Sequence, residues 1–367
     1  MAKVTTAFAP GRVELLGNHT DYNEGLVLGA AIDRGLTVSG SGRDDGVIEL
    51  KSNLLGQARI ALANPRPQAD VSWANYVVGV AHELIGSGVP IKGFEARMEG
   101  NLPMRTGLSS SAALEVAVAL FLLKLHQRKL DPIELAKLCQ RAEHRFVGVH
   151  SGLLDQVMSI FGRVNQLICF DARSEEVRMI SFPAGLALII VDSGRQRQLA
   201  QGDYNLRRKE TATAARMLGV HALRDVSLCD LDARTNIDPV LCRRARHIVG
   251  ENERVQRAIE LLEDGNVGKF GQLMNESHES SRQNFENSTP ELDLLVQLAQ
   301  SICGVLGARL TGGGFGGSIV ALCQRDHANE AMRHLRDAYR KQTGISPEIF
   351  ICQVSDGAQY SGSELTP

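Results

Sequence analysis

The sequence has almost no net charge: 40 Lys and Arg stand against 42 Asp and Glu, −2 in all with His neutral. Without a global field, neither nucleic acid nor an anionic membrane is an expected partner, although a local positive site for a phosphate is compatible with that balance. No apolar stretch approaches the ~18 residues that suggest a membrane-spanning helix. The opening Met-Ala-Lys-Val-Thr-Thr has no apolar signal core. Cysteine is unpatterned: seven, an odd number, at 139, 169, 229, 242, 303, 323 and 352, with no C-x-x-C. That argues against a disulfide frame or a zinc site and leaves reduced core thiols in a cytoplasmic protein as the expectation, with the sequons at Asn18 and Asn287 chance matches. The G-x-x-x-x-G-K-[ST] of P-loop NTPases is missing, as are the H-R-D and D-F-G of protein kinases. Trp is nearly absent too: Trp73 stands alone, and a lone Trp is more often core than ligand platform.

What is present suits a large soluble protein: 367 residues, 43% hydrophobic and 22% charged, with 36 Gly. That length exceeds one ordinary core, so two domains are expected. Apolar runs at 4–9 and 26–32 predict paired strands with a polar loop between them. Residues 48–51, 58–62 and 93–100 alternate like half-buried strands, and 73–85 has helical spacing. Asp131-Pro132 is a helix start, the pattern running to about Val147, and another helix covers 153–161. Residues 164–170 and 186–191 look like buried strands. Later, 203–218, 252–262, 266–274, 290–303 and 328–339 are helical, with short helices and turns over 221–250. Strands flank a glycine loop at 309–323, another covers 348–354, and the last seven residues look like a loose tail. The chain is α+β, divided at 1–175 and 176–367.

Three segments crowd glycines, hydroxyls and charges beside apolar strands. The central one, Leu102-Pro-Met-Arg-Thr-Gly-Leu-Ser-Ser-Ser-Ala-Ala113, passes from a loop into an Ala/Leu/Val helix. Its free N–H groups and the helix dipole suit a phosphate, but a capped helix feeding the core explains it equally well. The second, Pro10 to Gly25, reads as a loop. In the third, Gly312, Gly314 and Gly317 satisfy G-x-G-x-x-G, yet a strand-like Ser-Ile-Val-Ala-Leu-Cys follows where a dinucleotide fold needs a helix. A turn that lets another loop or a ligand approach closely fits better. Arg12, Asp21 and Asp155 are polar residues among apolar neighbours, which a structural ion pair would also explain.

In order along the chain, these segments resemble the galactokinase branch of the GHMP small-molecule kinases. The family's first motif is similar to Gly11-Arg-Val-Glu-Leu-Leu-Gly-Asn-His-Thr-Asp-Tyr-Asn23, its second to Pro103–Ala113 and its third to Leu310–Gly317. Shorter matches lie between them: Trp73-Ala-Asn-Tyr-Val, Ala142-Glu-His144, Gly152-Leu-Leu-Asp-Gln156, Asp203–Arg208, Asn275–His278 and Pro290–Asp293. The resemblance implies a two-domain GHMP kinase fold with the active site in the inter-domain cleft, and ATP-dependent phosphorylation of galactose at its anomeric hydroxyl. On that resemblance Asp155 stands beside the sugar C1 hydroxyl, with Arg12 as its partner and neutraliser of the transferred phosphoryl group. Ser111 and Glu143 hold Mg²⁺. Gly107, Leu108, Ser109, Ser110, Ser111 and Ala112 form the nucleotide loop, and Trp73 flanks adenine. Asn18, His19, Asp21, Gly152 and Tyr204 fall at sugar contacts. A small-molecule sugar is the implied partner, and a monomer is expected.

Four positions depart from the family pattern. Asn18 stands where the family has a Glu that, with His19, faces the C6 hydroxyl. Exchanging a carboxylate for an amide there makes a galacto-configured sugar altered at C6, such as galacturonate, the alternative substrate. Glu14 replaces the usual Asn and Ser151 the usual Cys. Arg105 replaces the first glycine of P-x-G-x-G-L-S-S-S, where it either reaches solvent at the loop rim or adds charge near the nucleotide phosphates. A non-catalytic sugar- and ATP-binding regulator is a further alternative, disfavoured because the serine loop, Arg12, Glu143 and Asp155 are all intact.

Overall fold

In a computed structural model of the chain, the described residues are 4–53, 55–63, 65–103, 106–195, 200–234, 237–360 and 363–364. Strands β1 (Thr5–Leu16) and β2 (Leu26–Gly42) pair antiparallel, from Thr5 opposite Gly40 to Leu16 opposite Leu28. Pro10 to Leu16, expected to be loop, continues the strand. Two register shifts, between Pro10 and Arg12 and between Glu14 and Leu16, absorb its glycine and polar residues as bulges without breaking the pairing. The far half of β2 pairs with β5 (Phe94–Gly100), beyond which lie β3 (Val47–Ser52) and β4 (Gly56–Ala61). Its near half pairs with β6 (Gln166–Asp171), which pairs in turn with β7 (Val177–Ser181).

A second sheet, ordered β11-β8-β10-β9, contains β8 (Leu186–Asp192), β9 (Val305–Leu310), β10 (Ser318–Gln324) and β11 (Ile349–Cys352). The chain then returns: β12 (Gln359–Tyr360) pairs with β1, and β13 (Ser363–Glu364) pairs with β12. The first sheet therefore runs past residue 175 through β7 and recovers strands from the far end, which a cut at 175/176 misses. Of the expected tail, Ser363 and Glu364 are in a strand, and the other five residues lie outside the described ones.

Helices α1 (Ala74–Gly86), α2 (Ser110–Leu125), α3 (Pro132–Ala142) and α4 (Leu154–Phe161) pack together, with α2 against β1 and β2. Every α2 side chain from Ala112 to Leu123 is buried, Glu115 being the one ionisable group among apolar ones, as in a helix apolar nearly all round at the centre of a core. Beyond β8 come α5 (Ala200–Leu218), α6 (Leu228–Asp232), α7 (Pro239–Glu263), α8 (Val267–Ser280), α9 (Pro290–Gln300) and α10 (Ala328–Thr343). The expected start at Asp131-Pro132 is confirmed: Asp131 accepts from the Ile133 and Glu134 N–H groups at 2.9 and 3.3 Å. Asp238-Pro239 and Thr289-Pro290 repeat the device. Helix α7 runs unbroken where turns and a new helix were expected. Gly250 costs only ~1 kcal/mol within a helix, and long buried faces on both sides of it outweigh that.

Of the cysteines, 139, 169, 323 and 352 are buried as expected, but Cys229 and Cys303 are exposed; all seven are free thiols. No helix among the described residues is long and apolar enough to cross a membrane. Asn18 and Asn287 are 1% and 0% exposed, so neither sequon is accessible in the fold.

Helix α8 presses directly onto β9 at a glycine pair. A Cβ on Gly307 would stand 2.0 Å from the Gly271 carbonyl oxygen, and one on Gly271 would stand 2.3 Å from that of Leu306. Gly307→Ala must therefore move a helix off a strand, and urea denaturation is expected to show a loss of about 1–3 kcal/mol.

Candidate active site

Arg12 leaves β1 at the first bulge and is 4% exposed. Its Nε and Nη2 meet the same oxygen of Asp155, at 2.7 and 2.6 Å, and its Nη1 donates to the Gly107 carbonyl at 2.6 Å. The Arg12 N–H donates to the Leu108 carbonyl at 3.1 Å. One residue thus ties the first turn of α4 to the serine loop. Asp155 Oδ2 takes no hydrogen bond among the described residues, and the side chain, 28% exposed, faces the opening.

The serine loop settles the choice between a capped helix and an open one. Ser109 sits at the N-cap of α2 with left-handed backbone (φ 59°, ψ 47°), and its hydroxyl makes no capping bond. That hydroxyl is buried and has no partner among the described residues. The N–H groups of Ser110, Ser111 and Ala112, which a helix cannot satisfy itself, have no acceptor among the described residues, an arrangement that suits an anion. Met104 and Arg105 lie outside the described residues.

Glu143 opens a single π-helical turn, Glu143–Val147, at the end of α3 and accepts a hydrogen bond from the Ser151 hydroxyl. Burial pushes its carboxyl up to about 7; Asp155 adds to the shift and Ser151 opposes it. Glu115, one turn beyond Ser111 on α2, is fully buried, its carboxyl raised well above the usual range by burial and then by Glu143. It accepts from Gln156 Nε2 at 3.0 Å. Carboxyl groups are therefore crowded here, and the atoms they offer a metal are hard oxygens. Such a place fits Mg²⁺, which takes one or two protein ligands and leaves its other positions to phosphate and water. No cluster of three or more His, Cys, Asp or Glu among the described residues forms a metal cage by itself.

Loop 17–25 carries the residues expected at the sugar. Asp21 accepts from the Tyr22 and Leu154 N–H groups at 3.0 and 3.3 Å. Burial, then the charge of Asp155, pushes its carboxyl up to about 6. Gly152 permits this position, because a Cβ there would lie 1.9 Å from Asp21 Oδ2. His19 is packed among Tyr22, Tyr204 and Phe285, with ring centroids 5.6, 5.0 and 4.6 Å away. Its Nε2 donates to the Gly313 carbonyl at 3.0 Å, so Nδ1 accepts from the Tyr22 hydroxyl at 2.8 Å. Burial lowers its pKa to about 3, so the ring is neutral. Gly313 lies within 3.2 Å of the Tyr204 ring at its would-be Cβ, the close approach of loops expected from the glycine run.

Asn18 does not face the opening as expected. It is 1% exposed, and its Nδ2 donates to Glu14 Oε1 at 2.8 Å and to the Gly312 carbonyl at 2.9 Å, while Oδ1 accepts from Asn287 at 3.0 Å. The departures at 14 and 18 thus meet: acid and amide have exchanged places within one buried pair. Burial pushes Glu14 up to about 7, and Arg309 is the foremost group opposing it. Trp73 precedes α1 and is half-buried at the edge of the main core, and among the described residues its indole N–H has no partner and no hydrogen bond or ring pairing joins it to the constellation above. Glu115 and Phe285 were not singled out in the sequence; Ser151 was noted only as a departure from the family pattern, and Gln156 only as part of the Gly152–Gln156 match, neither with a role.

The sequence matches three family descriptions: the GHMP kinases N terminal domain over residues 75–163, the GHMP kinases C terminal domain over 258–341, and the galactokinase galactose-binding signature over 2–41. Galactokinases of Mannheimia succiniciproducens and Haemophilus influenzae are each 41% identical to it, covering 95% and 96% of this chain and 93% and 94% of their own. The chain belongs to the galactokinase family. The Lactococcus lactis galactokinase complexed with galactose superposes with a TM-score of 0.93 at 35% identity, covering 97% of this chain and 95% of its own. A Methanococcus jannaschii mevalonate kinase, TM-score 0.66 at 18% identity, shares the fold.

The raised pKa of Asp21 links this galactokinase-family site to stability. Its folded value of about 6 lies above the 3.8 of a free Asp, so the stability tied to this group is present below the lower value and lost as pH rises through the higher. Asp21→Asn cannot ionise. It is expected to raise the melting temperature near pH 8 and leave it nearly unchanged at about pH 3, while raising the KM for the sugar at least about tenfold. Gly152→Ala is expected to raise the same KM by displacing Asp21, with the ATP KM held within about twofold in steady-state kinetics.

Proposed function

We propose that the protein transfers the γ-phosphoryl group of ATP to the anomeric hydroxyl of galactose, giving galactose 1-phosphate. The observation that carries this is Arg12, which holds Asp155 with two nitrogens and the serine loop with the third. An acceptor-side carboxylate and a phosphate-side helix terminus are thereby fixed to one guanidinium. Phosphoryl transfer depends mostly on positioning and charge stabilisation, which this arrangement supplies.

In that reading the free Oδ2 of Asp155 accepts from the C1 hydroxyl, orients it in line with the phosphorus and takes its proton as the bond forms. Arg12 offsets the charge developing on the transferred group. The open N-terminus of α2 and the hydroxyls of Ser109, Ser110 and Ser111 hold the phosphates, and Trp73 flanks the base. Ser111 and Glu143 would hold Mg²⁺, which would supply positive charge to screen the phosphates. Asp21 accepts from the sugar hydroxyls, and Tyr204 and His19 wall the pocket. Asn18, spent on Glu14, Gly312 and Asn287, removes the ground for a C6-altered sugar. The near-neutral charge and the lack of a spanning helix among the described residues accord with a small-molecule sugar as partner.

ADP release measured over galactose, galacturonate, fucose and arabinose tests the substrate, and galactose is expected to be preferred by a hundredfold or more. Asp155→Asn, close to isosteric, is expected to lower kcat about a thousandfold with the galactose KM within about threefold. A kcat within tenfold of the parent would remove Asp155 from the chemistry.

A further inference from the structure

One face of α7 grips the loop that carries His19 and Asp21, and does so by its main chain. Glu251, fully buried, accepts the N–H groups of both Gly17 and Asn18 on a single oxygen, at 2.9 and 2.8 Å. Its other oxygen accepts from Arg254 Nε at 2.7 Å. One turn earlier on the same face, His247 Nε2 donates to the Asn18 carbonyl at 3.1 Å, its Nδ1 meeting the Ser280 hydroxyl at 3.0 Å. At the loop's far end Asn252 Oδ1 accepts from the Leu26 N–H at 2.8 Å. The loop is thus held at both ends by three residues of one helix.

A second link reaches the pocket through packing. The His247 ring stacks on Phe285 with centroids 4.4 Å apart, and Phe285 lies 4.6 Å from His19 on its other side. His19 itself has left-handed backbone, φ 62°, unusual for a residue other than glycine, and it directly follows the two gripped N–H groups. A strained residue keeps such a conformation only where its surroundings over-determine it. Burial alone would raise the Glu251 carboxyl, but Arg254, Arg309 and the Asn18 N–H together hold it well below the usual range, so the acceptor stays ionised.

We propose that Glu251, with His247 and Asn252, forms a positioning platform for sugar recognition: the α7 face fixes loop 17–26 so that His19 and Asp21 meet the substrate, while touching none of it. The platform belongs to the sugar side alone, since none of its bonds reaches the serine loop. The identity of the sugar rests on the function proposed above; the grip on the loop does not.

Glu251→Gln tests this, since an amide weakens the double acceptor and turns a donor toward Arg254. Galactose KM is expected to rise at least tenfold, with kcat and the ATP KM within twofold. Hydrogen exchange is expected to accelerate in peptides covering residues 15–26 and to stay unchanged over 110–125. Asn252→Ala, which removes the bond to Leu26 and one to the Ile248 carbonyl within α7, should give the same split with a smaller rise, and it serves where Glu251→Gln does not fold. A galactose KM within twofold of the parent, an equal rise in the ATP KM, or unchanged exchange over 15–26 would each overturn the platform. If the parent protein does not phosphorylate galactose, the function falls, and the exchange result alone decides the platform.

Discussion

The fold turns on one buried guanidinium. Arg309 is fully buried on β9, its Nη1 3.2 Å from Glu14 Oε1, 3.7 Å from Glu251 Oε2 and 3.2 Å from the Leu15 carbonyl. Those partners belong to the first sheet and to α7, so a strand of the second sheet supplies the charge that lets the other two approach. Breaking such a pair commonly costs ~3–5 kcal/mol, because the carboxylates left behind stay buried. Both carboxylates also reach the sugar loop, Glu14 through the Asn18 side chain and Glu251 through its main chain. The seam and the substrate pocket therefore share one set of charges.

Around that joint, glycines decide which loops can meet. Gly152 makes room for Asp21, and Gly313 turns its carbonyl to His19 while its α-carbon lies against Tyr204. Gly314, with φ 78°, would bring a Cβ to 2.2 Å from the Asn287 carbonyl oxygen. The glycine run that formally fits a dinucleotide motif is thus a contact surface for protein. Its carbonyls accept from Asn18 and His19, while Asp21 accepts from the Tyr22 and Leu154 N–H groups.

Features set by neighbours in sequence were legible. The Asp131-Pro132 helix start, the glycine turn followed by a strand and the largely apolar α2 each depend on a few adjacent residues. Arg12 with Asp155 was legible by resemblance, as one of two pairings that the residues alone left open. What escaped depends on partners far along the chain. Asn18 is turned from the opening by Glu14, Gly312 and Asn287, the last 269 positions away, and nothing near it in sequence signals that burial. Helix α7 covers part of the 221–250 stretch expected as short helices and turns together with the helix expected over 252–262, because buried residues on both sides of Gly250 hold it as one helix. Strand β7, short and half-exposed, has too little alternation to announce itself.

The pairing of β12 with β1 has a consequence for the order of folding. Ala7 and Phe8 find their partners at Tyr360 and Gln359. As the chain emerges from a ribosome, the sheet bearing Arg12 stands with one edge of its first strand bare until residues 359 and 360 appear. Bare edges are templates for mispairing. The first sheet to begin is the last to close, and its interval of exposure is set by the time needed to translate the whole second half.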